Sequence, residues 1–307
     1  MHVATSGRSV LRAPRLVLSA RLATVRNYLA LTRPRVVLVA VLTGGPVLLL
    51  HRRDRPHSLT QPVILLGIVL VGAACSAINA WVERDRDALM SRTRDRPLPA
   101  GRIRPTAALA FGLSLAAAGL AVLGLWGGGL AALTGGLTLA WYIGVYTIWA
   151  KPRTARSTVL GAVAGAAAPL IASAAMDGRI SSFGWALFAL VFAWQPPHVW
   201  AIALFRGTEY QAAGIPMMPA VVGERGTRAR MLAWALVLVP VSAVPWLLHV
   251  LGPAYAVTAL AAGVWFVATI VRALHTPSAH ADRRVFAVSL IYLGVLFLEM
   301  LAELALG

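Results

Sequence analysis

Cysteine is almost missing from this 307-residue chain: Cys75 stands alone inside an apolar run. One thiol makes no intrachain disulfide, no CxxC redox pair and no cysteine cage for a metal, so the compartment has to be argued from charge. Charge is scarce as well. Asp, Glu, Lys and Arg make up 13% of the residues, only 11 are acidic, and the one lysine is Lys151. Ordinary globular domains are about 25% charged and about 45–50% apolar. Here 59% of positions are apolar or aromatic and the mean hydropathy is +0.74, which excludes disordered, collagenous and water-soluble globular classes. The net charge of +17 does not point to nucleic acid. A nucleic-acid binder carries its basic residues on a polar face among aromatics, whereas these sit in short gaps between apolar runs, so no nucleic-acid partner is expected.

What remains is an all-α polytopic membrane protein. A membrane-crossing helix needs about 20 mostly apolar residues, and nine candidate spans fit, at 34–50, 63–82, 106–126, 128–149, 157–176, 183–204, 231–251, 253–274 and 285–304. Gly127, Gly128 and Gly129 separate the third span from the fourth, and Gly252 and Pro253 the seventh from the eighth, which predicts two tight helical hairpins. Trp149 and Trp185, near span ends, read as interfacial belt residues. Lys and Arg test the count. Alternate gaps collect 24 of the 28 basic residues, leaving Arg52, Arg53, Arg55 and Arg179 opposite. By the positive-inside rule the N-terminus is cytoplasmic and the C-terminus outside.

The membrane is then the inner (plasma) membrane of a cell. Residues 1–26, with five Arg and no acid, also fit a mitochondrial transit peptide, which makes the mitochondrial inner membrane the alternative. The excess of Arg over Lys favours a GC-rich bacterial source. Residues 1–26 are expected to form a flexible basic arm on one intramembrane domain, 27–307. His51, His57, His275 and His280 fall in loops and read as solvated.

The most informative stretch is INAWVERDRDALMSRTRDRPLPAGR, from Ile78 to Arg102. If span two continues as a helix, Asn79, Glu83 and Asp87 stand at i, i+4 and i+8 on one face. Two carboxylates and an amide offer hard oxygen ligands, too few to enclose an ion. That suits Mg²⁺, which keeps several waters and is commonly completed by substrate phosphates. Arg84, Arg92, Arg94 and Arg96 can neutralise a phosphorylated leaving group and clamp it bidentately. Acid and base together at a membrane surface point to a lipid diphosphate substrate. The competing reading is a set of interfacial charges that cap a helix and obey the topology rule. Asp85 lies on the opposite face and is expected to pair with Arg.

His198 lies in WQPPHVW, where Pro196 and Pro197 are expected to break or kink the helix. An ionisable residue at such a site in a membrane domain is a functional candidate, and neutral imidazole is a common heme ligand. The alternative is a histidine bonded to a carbonyl freed at the kink.

These residues resemble a known family. Asn79-xxx-Glu83-xxx-Asp87 followed by RTRDRPLPAGR is similar to the first aspartate-rich motif of UbiA-type intramembrane prenyltransferases. TRPRVV at 32–37, YTIWAKPRT at 146–154, GAVAGAAAPLI at 161–171, WQPPHVWAIALF at 194–205 and EYQAAGIPMMPAVVGE at 209–224 resemble the heme-farnesylating branch of that family. The match runs from about residue 27 to the end. It implies nine transmembrane helices around a central cavity, farnesyl diphosphate and heme b as substrates, Mg²⁺ as cofactor, and a downstream heme A synthase as a partner.

Carried onto this chain, the resemblance assigns Asn79, Glu83 and Asp87 to diphosphate through Mg²⁺, with Glu83 where many members have Asp. The family's second acidic pair is reduced to Glu209 before Tyr210, as in the heme branch. Glu209 would complete a second Mg²⁺ site or orient Lys151 and Arg153, and both roles stay open. Lys151 and Arg153 match a phosphate-contacting loop, Arg35 is a weaker candidate of the same kind, and His198 and Tyr210 become candidate heme contacts.

Three other functions compete. A quinone-type aromatic prenyltransferase would share the Mg²⁺ site, but PPHVW and the lone Glu209 disfavour it. A transporter would show a two-half repeat with paired broken helices, which is not seen. A non-catalytic heme-binding assembly factor would tolerate replacement of Asn79, Glu83 and Asp87.

Overall fold

In lipid, a chain has to satisfy its backbone polar groups internally, and helices do so segment by segment. The computed structural model describes residues 12–51 and 59–306, and every regular element among them is helical. In chain order these are α1 (Arg12–Leu31), α2 (Pro34–Leu50), α3 (Thr60–Asp87), α4 (Pro105–Ala140), a π-helix (Trp141–Ala150), α5 (Ser157–Gly165), α6 (Ala168–Asp177), α7 (Ser182–Phe205), α8 (Gly207–Ala212), α9 (Met218–Leu247), α10 (Pro253–His275) and α11 (Ala279–Leu306). Proline opens α2, α4 and α10, where its fixed φ suits a first turn and its missing N–H costs nothing. Arg52, Arg53, Arg55 and His57 lie outside the described residues.

The chain is a multi-span membrane protein. Among the described residues seven helical stretches are long and apolar enough to cross a bilayer, or eight if α2 and the end of α1, bent by 54°, form one broken span. One of the seven runs 46 residues, Pro105–Ala150, or about 69 Å of helix, more than twice the hydrocarbon thickness. Gly128 interrupts it at φ 82° and ψ 174°, a conformation glycine reaches without a Cβ clash. A Cβ on Gly135 would fall 2.8 Å from Leu123 and one on Gly124 3.5 Å from Ala132, so the two arms fold back on each other. The expected hairpin is there, and nine segments are reached only by dividing it and joining the bent pair. Leu125, Leu137, Val257, Leu260 and Leu298, all at least 58% exposed, face outward where lipid would cover them. Trp149 and Trp185 are half exposed near element ends, as belt residues would be.

Packing closes the spans into a ring. Helix α3 lies along α4, α4 contacts α6, α5 meets the π-helix and α7, α7 packs on α9, and α9, α10 and α11 follow in turn until α11 reaches α2. Glycine sets the closest approach of α3 to α4, since a Cβ on Gly119 would stand 3.0 Å from the backbone nitrogen of Val71.

Residues 12–26, part of the expected basic arm, are helical within α1, whose Ala, Leu and Arg are strong helix formers. Two expectations need correction. The gap before span seven is helical from Met218, with a break at Gly223 (φ 71°, ψ 170°). Arg228 can sit inside that helix because Asp282 of α11 receives its Nε at 2.9 Å and its Nη2 at 2.7 Å, and Glu224 lies 3.1 Å from Nη2. Helix α7 runs unbroken through Pro196 and Pro197, held by packing against α5, α9 and α11. Span five is present as Ser157–Asp177, built of α5 and α6 with a break at Ala166 and Ala167.

Candidate functional site

The end of α3 puts Asn79, Glu83 and Asp87 on one face, as their spacing requires, and all three are buried. The Thr147 hydroxyl donates to the Tyr142 carbonyl at 2.8 Å, so its oxygen accepts from Asn79 Nδ2 at 3.1 Å. That contact fixes the amide, and Asn79 Oδ1 is left buried without a partner. Glu83 Oε1 is ion-paired with the Lys151 ammonium. Asp87 Oδ2 takes Arg96 Nη1 at 2.7 Å, while the Asp87 carbonyl holds the Thr93 hydroxyl at 2.7 Å.

A π-helix delivers the partner residues. Its i→i+5 bonding, rare and frequent at functional sites, stacks Thr147 over Tyr142 and Lys151 over Tyr146, whose carbonyl accepts the Lys151 N–H at 2.9 Å. Trp141 Nε1 anchors the segment to the Leu160 carbonyl at 2.7 Å. A Cβ on Gly161 would meet the Tyr146 ring at 2.8 Å, so this glycine of GAVAG admits the aromatic. The Lys151 ammonium lies 5.7 Å from the Tyr146 ring centre, and Tyr146 is within electrostatic range of both Glu83 and Tyr210.

Arg33 brings a further cation. It occupies the left-handed region at φ 50° and ψ 65°, ahead of Pro34, a conformation that costs a non-glycine residue about 1–3 kcal/mol and tends to persist at functional sites. Its Nη2 is buried without a partner, and its charge acts on Glu83, Arg96, Tyr142 and Tyr146. Burial holds the Arg96 pKa below its usual value, Arg33 and Arg92 push the same way, and Asp87 opposes them. Crowded cations beside the unpartnered Asn79 oxygen are charge-complementary to a phosphorylated anion.

The other candidates are placed as follows. Arg84 stays local, donating to the Trp81 carbonyl at 2.9 Å and reaching Asp85 at 3.5 Å, which is the pairing expected for Asp85. Arg94 and Arg35 are exposed. Arg153 is exposed too, its guanidinium capping the Ile148 and Trp149 carbonyls at 2.9 and 3.0 Å. Glu209, on α8, sits 3.4 Å from Arg206, with Oε2 buried and unpartnered. Among the described residues no contact joins Glu209 to Lys151, Arg153 or the first three ligands. Tyr210 packs in one cluster with Met90, Val199, Ala203, Ala213, Ile215 and Met217, which brings the loop after α3 against α7 and α8. His198 is half-buried and its Nδ1 lies 2.7 Å from Ser289 Oγ.

The donor set fits Mg²⁺. Asn79 Oδ1, the Glu83 carboxylate and the free Asp87 oxygen are all hard ligands, and the first is buried with no partner. Among the described residues no three His, Cys, Asp or Glu converge on a point, so the remaining ligands would be water and phosphate. Sequence reasoning missed Arg33, Thr147 and Tyr146. Arg33 lay in the TRPR motif beside the chosen Arg35, and only the bend at Pro34 separates their fates. Thr147 and Tyr146 carried no signal beyond their place in the YTIWAKPRT motif.

Comparison with known proteins gives a consistent family. The UbiA prenyltransferase family profile matches residues 37–298. A protoheme IX farnesyltransferase of Symbiobacterium thermophilum is 40% identical over 281 residues, covering 91% of this chain and 94% of the relative. A protein of the same name from Rhodopseudomonas palustris is 38% identical over 307 residues, covering 99% and 96%. Among solved structures, one described as a digeranylgeranylglyceryl phosphate synthase superimposes with a TM-score of 0.76 at 17% identity, covering 91% and 98%. A UbiA homolog from Archaeoglobus fulgidus bound to GPP and Mg²⁺ does so at 0.64 and 17% identity, covering 90% and 99%. These two likenesses speak to the fold.

Proposed function

The chain belongs to the UbiA prenyltransferase family, and from that membership we propose that it transfers a farnesyl group from farnesyl diphosphate to a vinyl group of heme b, producing heme o. The observation that carries the chemistry is a buried, unpartnered amide oxygen, Asn79 Oδ1, beside the Glu83 carboxylate that Lys151 neutralises, with the charges of Arg33 and Arg96 close by. The acceptor follows from relatives named protoheme IX farnesyltransferase that align over nearly the whole chain.

Asn79, Glu83 and Asp87 would hold Mg²⁺, which when bound supplies positive charge to the diphosphate. Support for that metal comes from the oxygen-only donor set and from a fold relative bound to GPP and Mg²⁺. Arg33 and Arg96 donate to the phosphate oxygens, and Lys151, released from Glu83, balances charge on the leaving group. The C1–O bond of the allylic diphosphate breaks with its electron pair on the departing pyrophosphate. The vinyl double bond of heme b attacks C1 and leaves a carbocation on the carbon next to the porphyrin ring. Water adds to that carbon and loses a proton, giving a hydroxyethylfarnesyl group. The site opens to the cytoplasm, with the N-terminus on that side, by the distribution of Arg.

The test is an assay of purified protein in lipid with heme b, farnesyl diphosphate and Mg²⁺, with extracted hemes analysed by mass. Farnesylated, hydrated heme from the wild type, lost with Asp87→Ala or with EDTA, supports the reading. Prenylation of a phenolic acid with no heme product would overturn the acceptor. No prenylation of either would overturn the enzyme.

A further inference from the structure

The side chain of Ser289, on α11, is fully buried and makes two bonds that decide each other. Its Oγ lies 2.6 Å from the Phe286 carbonyl and 2.7 Å from His198 Nδ1 of α7. A carbonyl oxygen only accepts, so a 2.6 Å O···O contact requires the Ser289 proton to lie between them. Ser289 has no second proton to give, and its oxygen therefore accepts from His198. The imidazole carries its hydrogen on Nδ1, and in the neutral ring the lone pair stands on Nε2. The Ser289 backbone is clamped too, since its carbonyl accepts Trp194 Nε1 at 2.7 Å. The imidazole packs against Trp194, 4.3 Å away and stacked, and against Phe286, tilted at 4.9 Å.

Ring, tautomer and orientation are thus set from both helices, yet Nε2 has no hydrogen-bond partner among the described residues and is not among the atoms sealed off by protein. Fixing one imidazole nitrogen by hydrogen bonding while the other stays open is how proteins prepare a histidine to ligate a metal. The depth is right for one. His198 lies seven residues, about 10 Å, from the end of α7, and Asn79 eight residues, about 12 Å, from the end of α3. Met90, just beyond α3, packs in one cluster with Val199 and Ala203, so those two helix ends meet.

We propose that Ser289 is a positioning residue that holds His198 as the Nδ1–H tautomer, so that Nε2 ligates the iron of the heme acceptor and presents the porphyrin edge to the diphosphate site. The proposal rests on the heme reading above. The test is binding of ferric heme b to the purified protein in nanodiscs without farnesyl diphosphate, followed by optical and electron paramagnetic resonance spectra. Wild type should show an imidazole-ligated ferric heme. His198→Ala should lose that spectrum and recover it with added imidazole. Ser289→Ala should bind heme 10–100-fold more weakly, the usual cost of removing a group that orients a metal ligand, and Ser289→Thr, which keeps the hydroxyl, should stay within a few-fold of wild type. Pyrophosphate binding with Mg²⁺, retained in each variant, reports that the fold is intact.

An unchanged spectrum in His198→Ala, or wild-type affinity in Ser289→Ala, overturns the proposal. Loss of heme binding together with pyrophosphate binding in Ser289→Ala makes the effect structural and likewise overturns it. Histidine-ligated heme with no farnesyl transfer would sink the enzymatic reading while leaving the ligand in place. Transfer without histidine ligation would do the reverse.

Discussion

Replacing Lys151 by Met keeps the length of the side chain and removes its charge from Glu83. The two form an ion pair with side chains 19% and 5% exposed, and removing one partner of a buried pair leaves the other uncompensated at a cost of about 3–5 kcal/mol. Because the Lys151 end is partly open to solvent, the lower figure applies, and Lys151→Met should lose about 3 kcal/mol in reversible unfolding from mixed micelles. The double variant Lys151→Met/Glu83→Gln should regain most of that, since no unpaired charge is left buried. Activity should behave differently. Lys151 balances the leaving diphosphate and Glu83 holds its counter-ion, so the single variant should lose at least about 100-fold in kcat, as when one charge-stabilising donor is removed, and the double variant should not recover. Stability and farnesylation measured on the same three proteins decide the matter. A Lys151→Met protein as stable as wild type, or a double variant with restored activity, would show that the ion pair neither forms nor serves the reaction.

Arg33→Ala should weaken pyrophosphate binding by about 1.5–3 kcal/mol, the worth of a charged hydrogen bond, while the exposed Arg35→Ala should stay near wild type; calorimetric titration with pyrophosphate and Mg²⁺ compares them. Thr147→Val keeps the shape but removes the oxygen that orients Asn79, so half-maximal activity should need about 10-fold or more Mg²⁺, and an unchanged Mg²⁺ titration would dismiss that role. Arg228→Met strands Asp282 in the bundle, both side chains being 3% exposed, and should cost about 3–5 kcal/mol while KM for farnesyl diphosphate per folded molecule stays unchanged.

Much of this molecule could be read before any coordinates. Apolar runs long enough to span a bilayer have little choice but helix, because lipid offers the backbone no partner. The triple glycine predicted the hairpin that Gly128 makes. The stripe of Asn79, Glu83 and Asp87 was visible because i, i+4 and i+8 are near in both sequence and space, and Asp85 took the partner its position required.

Relations between distant segments were settled only by the tertiary structure. Arg33 and Arg35 are equivalent in sequence, but the bend before Pro34 puts one guanidinium by the site and leaves the other exposed. Lys151 and Arg153 share a loop, yet the register of the π-helix gives Glu83 to the first and helix carbonyls to the second. Pro196 and Pro197 predicted a break that packing against neighbouring helices overrides. Arg228 finds Asp282, and His198 finds Ser289, from 54 and 91 residues away. Hydropathy and helical period are local properties that a sequence states directly, whereas the partner of a buried charge depends on which helix faces meet, and that is decided only when the ring of spans closes.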